Sequence, residues 1–252
     1  MLELKFTLMY WFIFILLVLV ILIMVHQVKV GALSPKALPV INLILIVAAV
    51  FFGFKIYDSI TAPVKFNQTK KQRYAKIIDR LKDIRDAEVA YRTITGDYTA
   101  SFDSLIQFID TAKFPIITQR DSVIKKYDRF RGIEKEEEII IIDTLGFVSV
   151  KDSLFKNDNR YKEMMWVPIP GREKKVKFEL RKSYLEKGEV KMPVFEAKVH
   201  KKEVLYDQPE DLVVQELNVI STEEINGPYI SVGSLEEVTT SGNWPKLYDI
   251  KN

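Results

Sequence analysis

Side chains that move protons, ligate metals or attack substrates are scarce in this sequence, and their spacing brings few of them together. There are two histidines, His26 and His200, and no cysteine. His26 follows a long apolar run, and His200 lies between two β-type segments beside Lys201 and Lys202. Neither has the partners at fixed spacing that a histidine base or metal site needs, so His200 reads as a surface residue at a strand end. Without cysteine there is no thiol nucleophile, Cys-ligated zinc, iron–sulfur cluster, disulfide framework or cysteine lipid anchor. Glu134 and Glu136–Glu138 precede Ile139–Ile142. Acids entering a strand point to both faces and do not converge on a cation, so they read as a charged flank that keeps an apolar strand from aggregating. Asn157-Asp158-Asn159 lacks the glycine and distant glutamate of a calcium loop and reads as a turn. No G-x-x-x-x-G-K-[ST], G-x-G-x-x-G or G-x-S-x-G segment occurs. The residues therefore name no catalytic, cofactor-binding or metal-binding site, and a non-enzymatic role is the expectation.

Two tryptophans remain as candidates for recognition. Trp166, with Pro168, Pro170 and Gly171, reads as a packed loop anchor, and Trp244, in Gly242-Asn243-Trp244-Pro245, either closes the core or joins an exposed patch. Lys174, Lys175 and Lys177 form a local basic cluster, but the chain lacks the basic stripe with interleaved aromatics that nucleic acid requires.

The elements that must hold these residues follow from an uneven charge distribution. Mean hydropathy is +0.00 and net charge +3, yet residues 1–54 contain only Lys5, Lys29, Lys36 and Glu3 as charged side chains. Removing those from 37 basic and 34 acidic residues leaves 34 and 33 for residues 55–252. An almost uncharged segment thus precedes a highly charged, nearly neutral one. Residues 6–25 (FTLMYWFIFILLVLVILIMV) contain no charge; at about 1.5 Å per residue they span about 30 Å, the thickness of a bilayer core. Residues 37–54 (ALPVINLILIVAAVFFGF) form a second run. The sequence predicts two transmembrane helices in a hairpin, residues 1–58, with the lipid bilayer as first partner. Val25-His26-Gln27 offers no small-x-small cleavage site, which excludes a removable signal peptide.

Beyond the hairpin, Ile60–Val64 with Pro63 predicts a hinge. A helix follows over about 67–93, with Tyr74, Ile77, Leu81, Ile84, Glu88 and Tyr91 recurring at steps of three and four. That face packs either on its own domain or on a second copy. A second helix over about 101–112 is capped by Ser101. The period then changes. FPIIT (114–118), EEIIIIDTLGFVSV (137–150), KKVKFELRKSY (174–184), MPVFEAKV (192–199), EVLYD (203–207) and PYISVGSL (228–235) read as β-type runs. Phe178, Leu180 and Tyr184 are set to face Val194, Phe195 and Val199 across a loop at 186–189, while 213–220 is strand or short helix. The fold class is α+β: two transmembrane helices, a hinge and helical stalk over 59–113, and a mainly antiparallel β head over 114–252.

Leu81 to Ile109 (LKDIRDAEVAYRTITGDYTASFDSLIQFI) resembles the stalk-to-head passage of pilins and pseudopilins. There an amphipathic helix with I-R-x-A-x-x-A-Y continues a membrane helix and leads into G-x-Y and a short D-x-L helix. More widely, APVKFNQTKKQRYAKIIDRLKDIRDAEVAY, GDYTASFDSLIQFI, VKDSLF, VPIPG, PVFEAKV, VGSL and GNWP resemble an uncharacterised envelope-protein family of Bacteroidota. Members of that family have one N-terminal anchor and an exported domain; this chain adds a second, more N-terminal span. The resemblance implies a periplasmic head and supplies no activity.

The basic residues following the second span favour a cytoplasmic head, whereas long domains translocate largely regardless of charge. Taken with the resemblance, the expectation is an inner-membrane protein with a periplasmic head, a cytoplasmic head being the alternative. The functional expectation is a structural or assembly protein of the cell envelope contacting other membrane proteins or itself, with Tyr74, Ile77, Leu81, Ile84, Tyr91, Trp166 and Trp244 as interaction candidates. The alternative is a ligand-sensing accessory subunit of a transport or secretion complex. No cofactor is expected.

Overall fold

The computed structural model describes residue 18 and residues 20–22, 25–27, 38–128, 133–156, 158–188 and 190–249. The chain divides into two compact units, Met1–Val64 and Lys65–Asn252. The architecture is α+β, with one long apolar helix and antiparallel sheets.

In the first unit, Val18 and residues 20–22 and 25–27 are helical, and helix α1 (Leu38–Thr95) begins. Most of the first expected span, 6–25, lies outside the described residues, as does the expected loop at 26–36 except for residues 26 and 27, which are helical rather than loop. By length and composition α1 could cross a membrane, and none of its most apolar 18-residue stretch is buried. Val40, Leu43, Ile44, Val47 and Phe51 are all more than half exposed. A helix apolar on every side suits a lipid surround, because it has no polar side to show water. The hinge expected at 60–64 is absent, since α1 continues through Pro63. An interior proline costs about 3 kcal/mol through one lost hydrogen bond and a steric clash. Breaking the helix at Pro63 would require a second, unfavourable nucleation on the far side, whereas propagation through it keeps one cooperative helix, Leu38–Thr95.

In the second unit, the rest of α1 turns one face inward. Tyr74, Ile77, Ile78, Leu81, Ile84, Ala87 and Ala90 are all buried, at the three- and four-residue steps that stack side chains along a helix face. Each large side chain so covered contributes about 1.5–3 kcal/mol of hydrophobic stabilisation. Glu88 is buried on the same face. Its Oε2 accepts the Thr99 N–H at 3.0 Å, which satisfies backbone just beyond the helix, while its Oε1 has no hydrogen-bond partner among the described residues. Gly96, at φ +85°, then breaks the helix. Helix α2 (Phe102–Thr111) starts where Ser101 accepts the Ser104 N–H, and it buries Leu105, Phe108 and Ile109.

Strands β1 (Lys113–Asp128) and β2 (Ile133–Ser149) form a separate two-stranded antiparallel ribbon with a bulge at Ile116/Ile117. Helix α3 (Val150–Phe155) returns the chain to the core through buried Val150 and Phe155. Strands β3 (Glu179–Lys187), β4 (Val190–His200) and β5 (Tyr229–Gly233) make a second antiparallel sheet in the order β3–β4–β5. The β3–β4 hairpin is the expected one, with pairing that reaches Lys187↔Val190 and Gly188 at φ +67°. Phe195, Ala197 and Val199 join the α1 and α2 side chains in one core, where Tyr98 lies 4.7 Å from Phe195 and Tyr91 4.9 Å from Phe108 between ring centroids.

Three expectations change here. Lys174–Phe178 precede β3 and make only a bridge from Lys177 to Trp166. Residues 203–207 are not a strand but the end of helix α4 (Lys201–Val204) and a turn. The reason is a cap: His200, the half-buried last residue of β4, accepts the Lys202 N–H on Nδ1 at 3.0 Å and starts a helical turn. Of residues 213–220, left open between strand and helix, 213–217 are the end of helix α5 (Glu210–Leu217) and the rest follow it outside any helix or strand.

Candidate interaction surface

The seam residues offered as contacts are spent inside the chain. Tyr74, Ile77, Leu81 and Ile84 have no exposed surface, and Tyr91 packs partly buried on Phe108. Of the two ways of covering this face, the structure uses its own domain, because α2 and the β4–β5 strands supply the apolar partners. Trp244 is buried in the same core. Trp166 is half-buried and borders a cavity of about 360 Å³, with the Lys175 and Lys177 ammonium groups 5.5 and 5.0 Å from its ring centroid.

Beside the apolar seam lies a buried charge network that the sequence analysis missed. Lys70 donates to Glu216 Oε2 at 2.9 Å and to Glu224 Oε2 at 3.0 Å, while Tyr74 donates its hydroxyl to Glu216 Oε1 at 3.1 Å. Lys201 donates to Glu216 Oε1 at 3.0 Å and to the carbonyls of Glu216 and Ile225 at 3.1 and 2.5 Å. Burial pushes the Lys201 ammonium below its ordinary pKa, and the Glu216 carboxylate opposes that shift. Two ammonium groups facing two carboxylates keep the network neutral, which makes deep burial tolerable. Its chemistry is that of a clamp: every named donor is committed to a partner. The legible trace was Lys70, which sits four residues before Tyr74 and extends the seam backward with a charge.

The free surface lies elsewhere, on the β1–β2 ribbon. Its 16 register pairs run Lys113↔Ser149 to Asp128↔Ile133; at about 3.4 Å per residue and about 4.8 Å between strands, it is about 54 Å long and about 10 Å wide. The pairs Ile117↔Thr144, Gln119↔Ile142, Asp121↔Ile140 and Val123↔Glu138 share one face. On that face Ile117, Val123, Ile140 and Ile142 are each more than half exposed. Ile124, Ile139 and Ile141 lie on the other face, so the ribbon is apolar on both sides. Among the described residues, both strands also keep an outer edge with no ladder partner. A two-stranded ribbon is marginal alone in water, and unpaired edges are templates for a further strand.

The edges differ in charge. By sequence β1 carries Lys113, Arg120, Lys125 and Lys126 against Asp121 and Asp128. Strand β2 carries Glu134, Glu136, Glu137, Glu138 and Asp143 against Lys135. One edge is therefore net basic and the other net acidic. Sequence reading marked 114–118 of β1 and 137–149 of β2 but missed 119–128, where charged and polar residues interrupt the alternation, and it missed the ribbon's isolation, which depends on β3–β4–β5 pairing without it. Among the described residues no group of three or more His, Asp or Glu side chains converges to hold a metal ion. No protein-family model, curated protein or solved structure matches the chain.

Proposed function

We propose that this chain is a non-enzymatic, membrane-anchored assembly protein of a bacterial cell envelope, and that the β1–β2 ribbon is its contact element. The observation that carries the reading is the ribbon: exposed isoleucines on both faces and two unpaired edges of opposite charge. The occupant is a second copy of the same chain, with the basic β1 edge of one copy pairing with the acidic β2 edge of the next. Pairing like edges sets like charges together, whereas β1-to-β2 pairing neutralises them and continues the antiparallel alternation. Such a contact is head-to-tail, the type that generates rings or filaments. The anchor comprises two inner-membrane spans, 6–25 and 37–54, with their loop in the cytoplasm and the head in the periplasm.

The chain has no cysteine, so single cysteines report contacts without background. Val123→Cys paired with Ile140→Cys, each in its own copy, is expected to give a disulfide-linked dimer on oxidation in membranes. Val190→Cys, exposed on the other sheet, is expected to stay monomeric. Ile140→Lys with Ile142→Lys is expected to weaken self-association about tenfold without lowering the melting temperature. Monomer alone at every ribbon position would reject the assembly reading. A periplasm-only reporter fused after Asn252 tests topology separately, and activity from a cytoplasm-only reporter would reverse it.

A further inference from the structure

We propose that the cavity between α1 and residues 163–176 binds a small molecule that joins an anionic group to an apolar or aromatic body. The cavity is about 360 Å³, within the range of small-molecule sites. Its apolar wall is Trp166, Val167, Ile169 and Val176. That wall is built before any ligand arrives: Val167 N–H donates to the Val176 carbonyl at 2.9 Å, and Phe178 N–H donates to the Met165 carbonyl at 3.0 Å. The two limbs of the segment are thereby tied, so binding does not have to order them.

The charge lining is lopsided. Lys76, Arg80, Arg172, Lys174 and Lys175 face the cavity against Glu163 alone, in a region whose bases and acids otherwise balance. Two of these cations are held in place by other bonds. Arg80 donates to the Arg160 carbonyl at 2.6 Å. Arg172 donates to Glu203 Oε2 at 2.5 Å and lies 4.9 Å over the Tyr206 ring. Lys76 and Lys174 have no ion-pair partner among the described residues. Uncompensated ammonium groups beside a low-dielectric wall concentrate positive potential, and an anion within the cavity relieves their repulsion. The wall at the same time accepts apolar surface, so a ligand carrying both features gains from both. This site shares no residue with the ribbon and does not depend on self-assembly.

Phenyl phosphate is the probe, titrated calorimetrically into the full-length protein in zwitterionic nanodiscs, with inorganic phosphate and phenol as comparators. Saturable one-site binding of phenyl phosphate is expected, about tenfold tighter than either comparator. Lys76→Glu with Lys174→Glu is expected to weaken it about tenfold or more while the melting temperature holds, since both side chains are exposed. Lys76→Gln with Lys174→Gln, which removes the charges without reversing them, is expected to give an intermediate loss. Absence of saturable binding, equal binding of phenol or of inorganic phosphate, or unchanged affinity in the lysine variants would each overturn the proposal.

Discussion

Arg73 and Asp207 meet as a two-pronged ion pair: Nη1 donates to Oδ1 at 2.6 Å and Nη2 to Oδ2 at 2.7 Å. Nη1 also donates to the Val204 carbonyl at 2.7 Å, so one guanidinium ties α1 to the turn after α4. This bidentate geometry suits arginine and would be lost with lysine.

The pair gives the fold a defined acid sensitivity. Hydrogen bonding from Arg73 holds the Asp207 carboxyl down at about 2, against an ordinary value of 3.8. A carboxylate depressed on folding adds stability that is fully present above its unfolded pKa and is lost as pH falls through its folded one. The window is thus about pH 4 to pH 2. Because the Asp207 side chain is 40% exposed, solvent screening reduces the contribution to about 1 kcal/mol. Asp207→Asn is expected to cost about 1 kcal/mol at neutral pH and to flatten stability over that window. Urea midpoints of both proteins across the pH series check this, and parallel pH slopes would rule the pair out as the cause.

The Lys70–Glu216–Lys201 network predicts a contrast between breaking and replacing buried charges. Glu216→Ala leaves two buried ammonium groups facing each other and is expected to destabilise the head by about 3–5 kcal/mol. Converting Lys70, Glu216 and Lys201 together to Met, Leu and Met removes the three buried charges at similar volume, leaves Glu224, whose side chain is 33% exposed, to water, and is expected to recover most of that loss. Equilibrium denaturation of the single and triple variants decides. A triple variant less stable than Glu216→Ala would mean that the network contributes net attraction.

Gly233 ends β5 at φ +73°, opposite Glu196 of β4. A Cβ there would lie 2.3 Å from the Phe195 carbonyl oxygen, a backbone atom that cannot swing aside. Gly233→Ala combines left-handed strain with this clash and is expected to cost about 2–4 kcal/mol. The control is Gly96→Ala, also at positive φ but with open space around its Cβ, expected to cost about 1 kcal/mol. Thermal melts of the two variants separate clash from strain.

Sequence alone determined what short-range pattern encodes. The uncharged run at 37–54 marked membrane-length helix, steps of three and four marked the inward face of α1, Ser101 marked the start of α2, and alternation around Gly188 marked the β3–β4 hairpin. Each depends on residues within a few positions of one another, so backbone geometry makes them readable. The tertiary structure alone decided what meets those faces. Periodicity shows that Tyr74–Ile84 must be covered; whether by α2 and β4 or by a second copy is a question of long-range packing. Glu216 lies 146 residues from Lys70, and no spacing rule links them. The isolation of β1–β2 was equally invisible, because a strand's own residues do not say which strands will leave its edge unpaired. The exposed ribbon and the basic cavity, on which the functional proposals stand, come from that second kind of information, since hydrophobic burial and charge pairing are settled between segments far apart in the chain.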